Sequence, residues 1–302
     1  MFSLKIGYFI CGCITGLVLL FNFLMSLPDG KLHIFFCSVG QGDAVYIRFP
    51  DGRDMLIDGG PNDAVLSCLG HHMPFWDRSI DIVALTHPEN DHLQGLLTVV
   101  ERYHIGLLVR SDVHNDSEGF TRLLKLLKDR AIRERFVAAG EQIDVGGLRM
   151  VVMWPSLDQI ASMKPRMVSD DSSVLGVSTG NLNDGSLVLW MRYGVFDAWF
   201  SGDADTHVES KYRGSRLADS TVEVLKVPHH GSKSGISLEY LDWLKPQLAI
   251  ISVGRNMYGH PSKEVLSLLA DKSIRLLRTD MHGDIEIISD GMRWDVIGAV
   301  KQ

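Results

Sequence analysis

Four potential metal ligands lie within six consecutive positions of this chain, namely His87, Glu89, Asp91 and His92. The mostly apolar residues 80–85 before them are typical of a buried strand, and the apolar spacing over residues 93–103 is typical of a helix that covers a sheet. The ligands are therefore predicted to lie on a strand-to-helix turn at the carboxyl end of a sheet, where open α/β folds place their chemistry.

The composition indicates a folded protein and argues against one class of function. The chain has 302 residues, of which 45% are hydrophobic, and this is enough for one large domain or two modest ones. Its formal net charge of −7 argues against a protein that coats nucleic acid, because non-specific DNA affinity comes from Lys and Arg that displace counterions. A nuclease with a local basic groove is still compatible with this charge.

The N-terminal residues differ from the rest of the chain. Residues 6–27 contain no charged side chain, and a run of this length can span a bilayer. We predict an uncleaved membrane anchor or signal segment in residues 1–30, with the domain of residues 31–302 outside the cytoplasm. A cleaved signal, which would leave a secreted form, and a merely buried helix are the alternatives.

The four cysteines do not form the pattern of a disulfide scaffold. Cys11 and Cys13 lie within the apolar N-terminal segment, so only Cys37 and Cys68 are able to pair in an oxidising compartment. We favour two separate buried thiols, because a free cysteine behaves as a small apolar core residue.

The remainder of the chain alternates between blocks of strands and helices. Strand patterns fill residues 32–58, return at residues 186–200 with a hairpin turn at Tyr193-Gly194, and continue to residue 288. Residues 117–130 predict a surface helix, and another helix is predicted to begin at Pro261. Residues 155–185 lack periodicity, as functional lids or substrate-contacting loops often do. Two face-to-face sheets with helices outside are therefore expected in a single domain.

Two further segments place potential ligands at strand ends. Asp203 follows the strand pattern of residues 195–200, and the pair His229 and His230 follows that of residues 221–227. Each of these features alone is most often a turn residue or a surface feature. Together with the first segment they favour a metal site, since imidazole and carboxylate ligands suit zinc, manganese or iron.

Seven blocks of the sequence carry a resemblance to a known family: Val39-Gly40-Gln41-Gly42-Asp43-Ala44, Leu56-Ile57-Asp58-Gly59-Gly60, His87-x-Glu89-x-Asp91-His92, Ser201-Gly202-Asp203, Leu225-Lys226-Val227-Pro228-His229-His230-Gly231-Ser232, Ser252-Val253-Gly254 and Tyr258-Gly259-His260-Pro261. In these blocks the chain resembles the metallo-β-lactamase superfamily, and within it the extracellular hydrolase domain of the ComEC-type competence proteins. The resemblance implies an α/β (α+β) fold, the αββα sandwich, with a centre for two divalent metal ions, Zn or Mn, at one edge.

The resemblance also assigns ligands to each ion. It places His87 and Glu89 on the first ion, Asp91, His92 and His230 on the second, and Asp203 between the two. Asp58 and Asp43 are expected to orient ligands from behind; for Asp58 the position at a strand end independently indicates such a role.

Two departures from the family pattern affect the first ion. Glu89 stands where many superfamily members have His, although a carboxylate there is chemically acceptable and favours a harder metal such as manganese. Trp154 stands where a third ligand of the first ion is expected, and an indole cannot ligate a metal. The first site is then expected to be weak, to be completed by water, Asp170 or Asp171, or to be empty.

The chemistry that the resemblance implies is hydrolysis by a hydroxide held between two ions, which would also clamp the oxygens of a phosphoryl centre. The candidate catalytic residues are Asp91, His229 and His260, the two histidines as contacts of the transition state or as proton donors to the leaving group. His260 has the alternative of a structural residue at a helix start.

These expectations predict a metal-dependent hydrolase, a phosphodiesterase or nuclease, in a position to act on single-stranded DNA or another phosphodiester during DNA uptake. A channel for such uptake needs many more membrane segments, so we expect a separately encoded membrane channel as a partner. The alternatives are a hydrolase of phosphorylated envelope glycans or lipids, and a non-catalytic binding module that has lost metal. Thioester, lactone or β-lactam hydrolysis is disfavoured.

Overall fold

The computed structural model describes residues 2–25, 27–164, 180–214 and 221–297. Its strands are β1 (Leu32–Phe36), β2 (Val45–Arg48), β3 (Asp54–Ile57), β4 (Ser79–Leu85), β5 (His104–Arg110), β6 (Arg133–Phe136), β7 (Gln142–Val145), β8 (Leu148–Trp154), β9 (Val188–Tyr193), β10 (Phe196–Phe200), β11 (Val224–Lys226), β12 (Leu248–Ile251), β13 (Arg275–Arg278), β14 (Ile285–Ser289) and β15 (Trp294–Ile297). Its helices are α1 (Phe2–Met25), α2 (Ala64–His72), α3 (Asn90–Arg102), α4 (Glu118–Asp129), α5 (Leu157–Met163), α6 (Thr206–Tyr212), α7 (Leu238–Leu244), α8 (Lys263–Asp271) and α9 (Thr279–His282).

The strands form two mixed sheets. The first has the order β15-β14-β1-β2-β3-β4-β5-β6, and the second has the order β13-β12-β11-β10-β9-β8-β7. β3 to β6 run parallel in the first sheet, and β10 to β13 run parallel in the second. The ligand-bearing connections follow β4, β10 and β11, so each lies at the carboxyl end of a parallel strand.

Alternation of apolar side chains in the strands builds the layers. In β1, Ile34 and Phe36 point into the apolar cluster between the sheets, whereas Phe35 points into the cluster beneath α2, α3 and α4. A third cluster fills the space between the second sheet and the helices α6, α7 and α8. The order of layers is therefore helices, sheet, sheet, helices, which confirms the predicted αββα sandwich.

The N-terminal prediction has a different outcome. Residues 2–25 form α1, which precedes the first strand. Within the part of the chain that the structure describes, no helix has the combination of length and apolar character that a membrane crossing requires. The membrane anchor and the domain boundary at residues 30 and 31 therefore stay predictions.

Two predicted element boundaries are wrong. Residues 155–185 are not uniformly irregular, because α5 and a short 3-10 turn (Leu182–Gly185) lie within them; residues 165–179, with Asp170 and Asp171, lie outside the described residues. α8 begins at Lys263 rather than at Pro261, since the Ser262 hydroxyl accepts a hydrogen bond from the Val265 amide and caps the helix there.

The favoured prediction of two free buried thiols is also wrong. Cys37 follows β1 and Cys68 lies in α2, and the two form a disulfide with their Cα atoms 5.8 Å apart. Burial alone could not distinguish the two states, because a thiol and a half-cystine are equally suited to an apolar core. The bond ties the first sheet to the helix that covers it.

This disulfide makes a testable contribution to stability. Purified without reductant and unfolded, the chain should titrate with a thiol reagent at Cys11 and Cys13 only, and reduction should lower the free energy of unfolding by about 2–4 kcal/mol because the reduced unfolded chain is less constrained. Urea unfolding with and without dithiothreitol measures this, and Cys11→Ser/Cys13→Ser should leave the difference unchanged. Four reactive thiols in the oxidised preparation would contradict the pairing.

Candidate metal centre

Three connections bring acidic and imidazole side chains together where the two sheets meet. The first turn of α3, which follows β4, carries Asp91 and His92; the turn after β10 carries Asp203, and the 3-10 turn Pro228–Gly231 after β11 carries His230. The first connection belongs to one sheet and the other two belong to the second sheet. The centre therefore exists only when both sheets are packed together.

The ligand atoms of Asp91, His92, Asp203 and His230 all lie within 4.8 Å of one another. Asp203 Oδ1 lies 3.4 Å from His92 Nε2, and Asp203 Oδ2 lies 3.4 Å from His230 Nε2, which in turn lies 3.3 Å from Asp91 Oδ2. Ligands about 2.0–2.1 Å from a tetrahedral ion are separated by about 3.3–3.4 Å. The four side chains thus have the mutual spacing of ligands that share one ion.

Hydrogen bonding supports the same interpretation. His92, Asp203 and His230 are buried, yet His92 Nε2, His230 Nε2 and Asp203 Oδ1 have no hydrogen-bond partner among the described residues. Buried polar atoms are almost always paired, because an unpaired one costs its full desolvation energy. The three atoms lie close to one another, so a divalent cation bound between them would give each atom a partner.

The opposite nitrogen of each imidazole is held from behind. His92 Nδ1 lies 2.8 Å from Asp58 Oδ2, and His230 Nδ1 donates to the Ser252 carbonyl at 2.9 Å. Asp58 is itself fixed, since it accepts hydrogen bonds from the amide and the hydroxyl of Thr86 at 2.8 and 2.7 Å. These contacts direct both Nε2 atoms into the centre, which is the arrangement that metal-binding histidines use.

The backbone that presents His230 is strained. His229 and His230 have φ angles of 51° and 52°, in the left-handed region that costs ordinary residues about 1–2 kcal/mol each. Gly231 follows with φ 74°, and a Cβ on it would lie 2.8 Å from Pro261 Cβ. Strain of this kind persists where surrounding contacts hold a functional residue in place.

Lys226 is a buried cation in this site that sequence reasoning missed. Its ammonium contacts the Asp43 carboxylate, donates to the Gly202 carbonyl at 2.8 Å and lies 3.7 Å from Asp203 Oδ1. Burial alone lowers the pKa of Lys226, but Asp43 and Asp203 outweigh it and hold this pKa above its usual range. The signal was a lysine inside an apolar strand, because lysine is almost never fully buried unless paired.

The carboxylates and imidazoles of the centre also shift one another. Burial opposes the charge of Asp203, but His230 and His92 outweigh it and hold the pKa of Asp203 well below its usual range. Asp43 also lies near His230, with Oδ1 3.3 Å from Nδ1. Burial lowers the pKa of His92 and His230, and the carboxylates around them, Asp203 first, raise it well above the usual value. The ionised form of Asp203 and the protonated forms of His92 and His230 therefore stabilise one another.

His87 and Glu89 lie beside this group without joining it. His87 is buried, its Nδ1 lies 3.3 Å from the Ser186 hydroxyl and its Nε2 has no hydrogen-bond partner among the described residues. Burial and the neighbouring His92 lower the pKa of His87 to about 3, so its imidazole is neutral. Glu89 is partly exposed, and burial followed by Asp91 raises its pKa.

Trp154 does not approach the ligands as a donor. Its indole N–H donates to the Asp184 carbonyl at 2.8 Å, and its ring packs near Tyr212 in the cluster beneath the second sheet. Trp154, at the position where a third ligand of the first ion was expected, therefore packs in the apolar cluster instead. Of the two ligand sets that the resemblance implies, the described residues bring Asp91, His92, Asp203 and His230 together, whereas the other set is represented by His87 and Glu89 alone.

The centre opens into a cleft of about 600 Å³. His229 and His260 line it, with their ring centroids 5.7 Å apart. His229 Nδ1 lies 3.7 Å from Asp205 Oδ2; burial opposes protonation of His229, but Asp205 and Asp203 outweigh it and raise its pKa. Burial, followed by His229, lowers the pKa of His260. The two histidines thus differ in proton affinity at one rim of the cleft.

Comparison with known proteins relates the chain to competence proteins. It is 28% identical over 292 residues to ComE operon protein 3 of Bacillus subtilis, covering 91% of this chain and 35% of that protein. It is 33% identical over 264 residues to competence protein ComA of Neisseria gonorrhoeae, covering 86% of this chain and 33% of that protein. The chain spans about a third of the length of these relatives. No protein-family model matches it.

Solved structures share the fold. A metal-dependent hydrolase of the β-lactamase superfamily matches with a TM-score of 0.54 and 11% identity, covering 84% of this chain and 98% of that one. The metallo-β-lactamase fold protein YhfI from Bacillus subtilis matches with a TM-score of 0.52 and 11% identity, covering 85% and 99%. At this identity the matches establish the fold alone.

The geometry predicts unequal roles for the histidines in metal binding. His230→Ala should weaken binding of the tightest zinc or manganese ion by at least about 100-fold, because it removes a ligand rather than an orienting partner. His87→Ala should leave that ion bound. Titration of the chelator-stripped chain followed by metal analysis measures both affinities. Retention of the tight ion in His230→Ala, or its loss in His87→Ala, would contradict the assignment.

The Lys226–Asp43 pair predicts a non-additive effect on stability. Lys226→Met should lower the free energy of unfolding by about 3–5 kcal/mol, because it removes the ammonium that pairs with the buried Asp43 carboxylate. Adding Asp43→Asn should recover much of the loss, since that charge is then gone. Urea unfolding with chelator present keeps metal binding out of the comparison. If Lys226→Met were as stable as the wild type, the Lys226–Asp43 pair would not contribute to the stability of the fold.

Proposed function

Because the chain is a ComEC-like member of the metallo-β-lactamase superfamily, we propose that it is a metal-dependent phosphodiesterase or nuclease that acts outside the cytoplasm. The observation that carries this proposal is the group of Asp91, His92, Asp203 and His230, whose ligand atoms have the spacing of ligands that share one ion. Buried ligand atoms of His92, Asp203 and His230 also have no hydrogen-bond partner among the described residues. We assign one tightly held ion to this group and a second, weaker one to the side of His87 and Glu89.

Asp91, His92, Asp203 and His230 would hold a divalent ion, which would supply a water of lowered pKa and polarise a phosphoryl oxygen. The chain's own side chains then have separate tasks. Asp58 and the Ser252 carbonyl hold the two imidazoles at fixed tautomers, because each occupies the Nδ1 side. His229 and His260 stand at the rim of the cleft, where a protonated imidazole can donate to a leaving oxygen.

The described lining of the cleft carries the carboxylates of Glu89, Asp91 and Asp203, so an anionic substrate would bind there only with metal ions present. None of the described residues that line the cleft is Lys or Arg, and Lys233 and Arg278 pair with Glu264 and Asp280. A phosphodiester bound there would therefore be neutralised by ions, by imidazoles and by the amino end of α3, which begins at Asn90 on the cleft wall.

The disulfide supports the proposed location. Such bonds form and persist in oxidising compartments and are rare in the cytosol, so Cys37–Cys68 fits a domain outside the cytoplasm. Residues 1–30 would then hold the domain at the membrane. The competence-protein relatives support a link to competence. We further propose single-stranded DNA as the substrate and a separately encoded membrane channel as the partner.

One observation favours a second candidate function. Trp154 occupies a packing position and leaves the side of His87 and Glu89 short of a ligand among the described residues. A chain that holds a single ion would serve as a binding module for the same phosphodiester class, or as a hydrolase of phosphorylated envelope glycans or lipids. Catalysis therefore has to be measured directly on more than one substrate.

The chain purified with its N-terminal residues and supplied with manganese or zinc should cleave single-stranded DNA or a generic phosphodiester. Asp91→Ala and His230→Ala should each lower kcat/KM by at least about 100-fold, because each removes an ion ligand. Lys233→Ala, which changes an exposed side chain, is the matched control and should keep full activity. Activity that survives chelation or either ligand variant would defeat the assignment, and bound metal without activity would favour the binding module.

A further inference from the structure

The loop between β12 and α8 carries an exposed aromatic side chain at the rim of the cleft. Tyr258 is 77% exposed and lines the cleft, whereas its neighbour Met257 is 101% exposed and is not among the cleft-lining residues. An apolar ring held in solvent next to a concave site loses favourable burial energy unless a ligand covers it. Nothing in the fold of the described domain uses the Tyr258 ring for core packing.

The loop is held in one shape by the side chain of Asn256. Its Nδ2 donates to the carbonyls of Gly254 and His260, both at 2.8 Å. Its Oδ1 accepts from the amides of Tyr258 and His260 at 3.1 and 3.0 Å. Gly259 turns the chain with φ 77°. The loop therefore presents Tyr258 in a preorganised position, which reduces the entropy lost when a ligand binds.

The Tyr258 ring ends a row of rings that begins at the metal centre. His230 is followed by His229, His260 lies 5.7 Å from His229 between ring centroids, and Tyr258 lies 5.7 Å from His260. The planes of Tyr258 and His260 differ by 32°. A substrate that placed its phosphate at the centre and followed this row would pass the imidazoles and reach an aromatic face.

We propose that Tyr258 is a specificity-determining residue that stacks on an unpaired base beside the scissile phosphate, so that the substrate is a single-stranded polynucleotide. This inference rests on the proposed phosphodiesterase function. Stacking suits this cleft because none of its described lining residues is Lys or Arg, so backbone charge alone gives little affinity. Stacking on an aromatic ring contributes about 5- to 150-fold in affinity per base and tolerates any sequence. A base within a duplex has both faces covered by its neighbours.

The test compares a single-stranded oligonucleotide with an abasic oligonucleotide of the same length, which keeps the phosphates and lacks the rings. The full chain, loaded with manganese, is assayed for KM and kcat on both. Tyr258→Ala should raise KM for the normal oligonucleotide by about 5- to 150-fold. It should change kcat little and leave KM for the abasic oligonucleotide unchanged.

Two variants separate stacking from other roles of the residue. Tyr258→Phe keeps the ring and should behave as the wild type, whereas a loss equal to that of Tyr258→Ala would show that the hydroxyl matters and would overturn the proposal. Met257→Ala changes a more exposed neighbour on the same loop, which does not line the cleft, and should have no effect. An equal effect of Tyr258→Ala on both oligonucleotides would also overturn the proposal.

A binding measurement keeps this proposal distinct from the proposed activity. Fluorescence anisotropy of the labelled oligonucleotides with the calcium-loaded chain gives affinities without turnover. If the wild type cleaves nothing, the proposed function fails, but a Tyr258-dependent preference for the normal over the abasic oligonucleotide would still support stacking. Equal affinity for the two oligonucleotides would overturn stacking whether or not the chain is catalytic.

Discussion

The buried charges around Asp203 are the interaction on which the rest of this structure depends. Asp203 belongs to the second sheet and lies between His92 of the first sheet and His230 of the second, while Lys226 reaches across to Asp43. Charged groups removed from water are costly unless they are paired or bind a metal. The two sheet edges can therefore approach only in the arrangement that brings opposite charges together, and that arrangement is also the one that assembles the metal ligands.

Much of this could be predicted from the sequence, because its signals are local. The cluster of ligands between residues 87 and 92 spans the turn after β4 and the first turn of α3, close to the predicted strand-to-helix turn. Blocks of strands followed by helices predicted two sheets with helices outside, and the nearly continuous burial of β1 agrees with a sheet that is covered on both faces. Helix boundaries that depend on one capping side chain were harder to predict. Ser262 caps α8, which begins at Lys263 and not at Pro261, and this hydrogen bond is visible only in the structure.

The parts that could not be predicted depend on partners distant in sequence. Pairing of Cys37 with Cys68 requires the end of β1 to meet α2, and the role of Lys226 requires its strand to face Asp43 from the other sheet. Trp154 shows the converse. Its residue type indicated a missing ligand, and the structure adds that the ring packs near Tyr212 and donates to the Asp184 carbonyl. Contacts in the structure therefore distinguish the group of Asp91, His92, Asp203 and His230 from the side of His87 and Glu89, which lacks a third ligand among the described residues.

The measurement that tests the central claim most directly is anomalous diffraction from crystals of the zinc-loaded chain, recorded at the zinc edge. We expect a strong peak about 2.0–2.2 Å from the Nε2 atoms of His92 and His230 and from carboxylate oxygens of Asp91 and Asp203. Any peak near His87 and Glu89 should have lower occupancy. A loaded crystal without a peak among the four residues, or with its strongest peak elsewhere, would contradict the account.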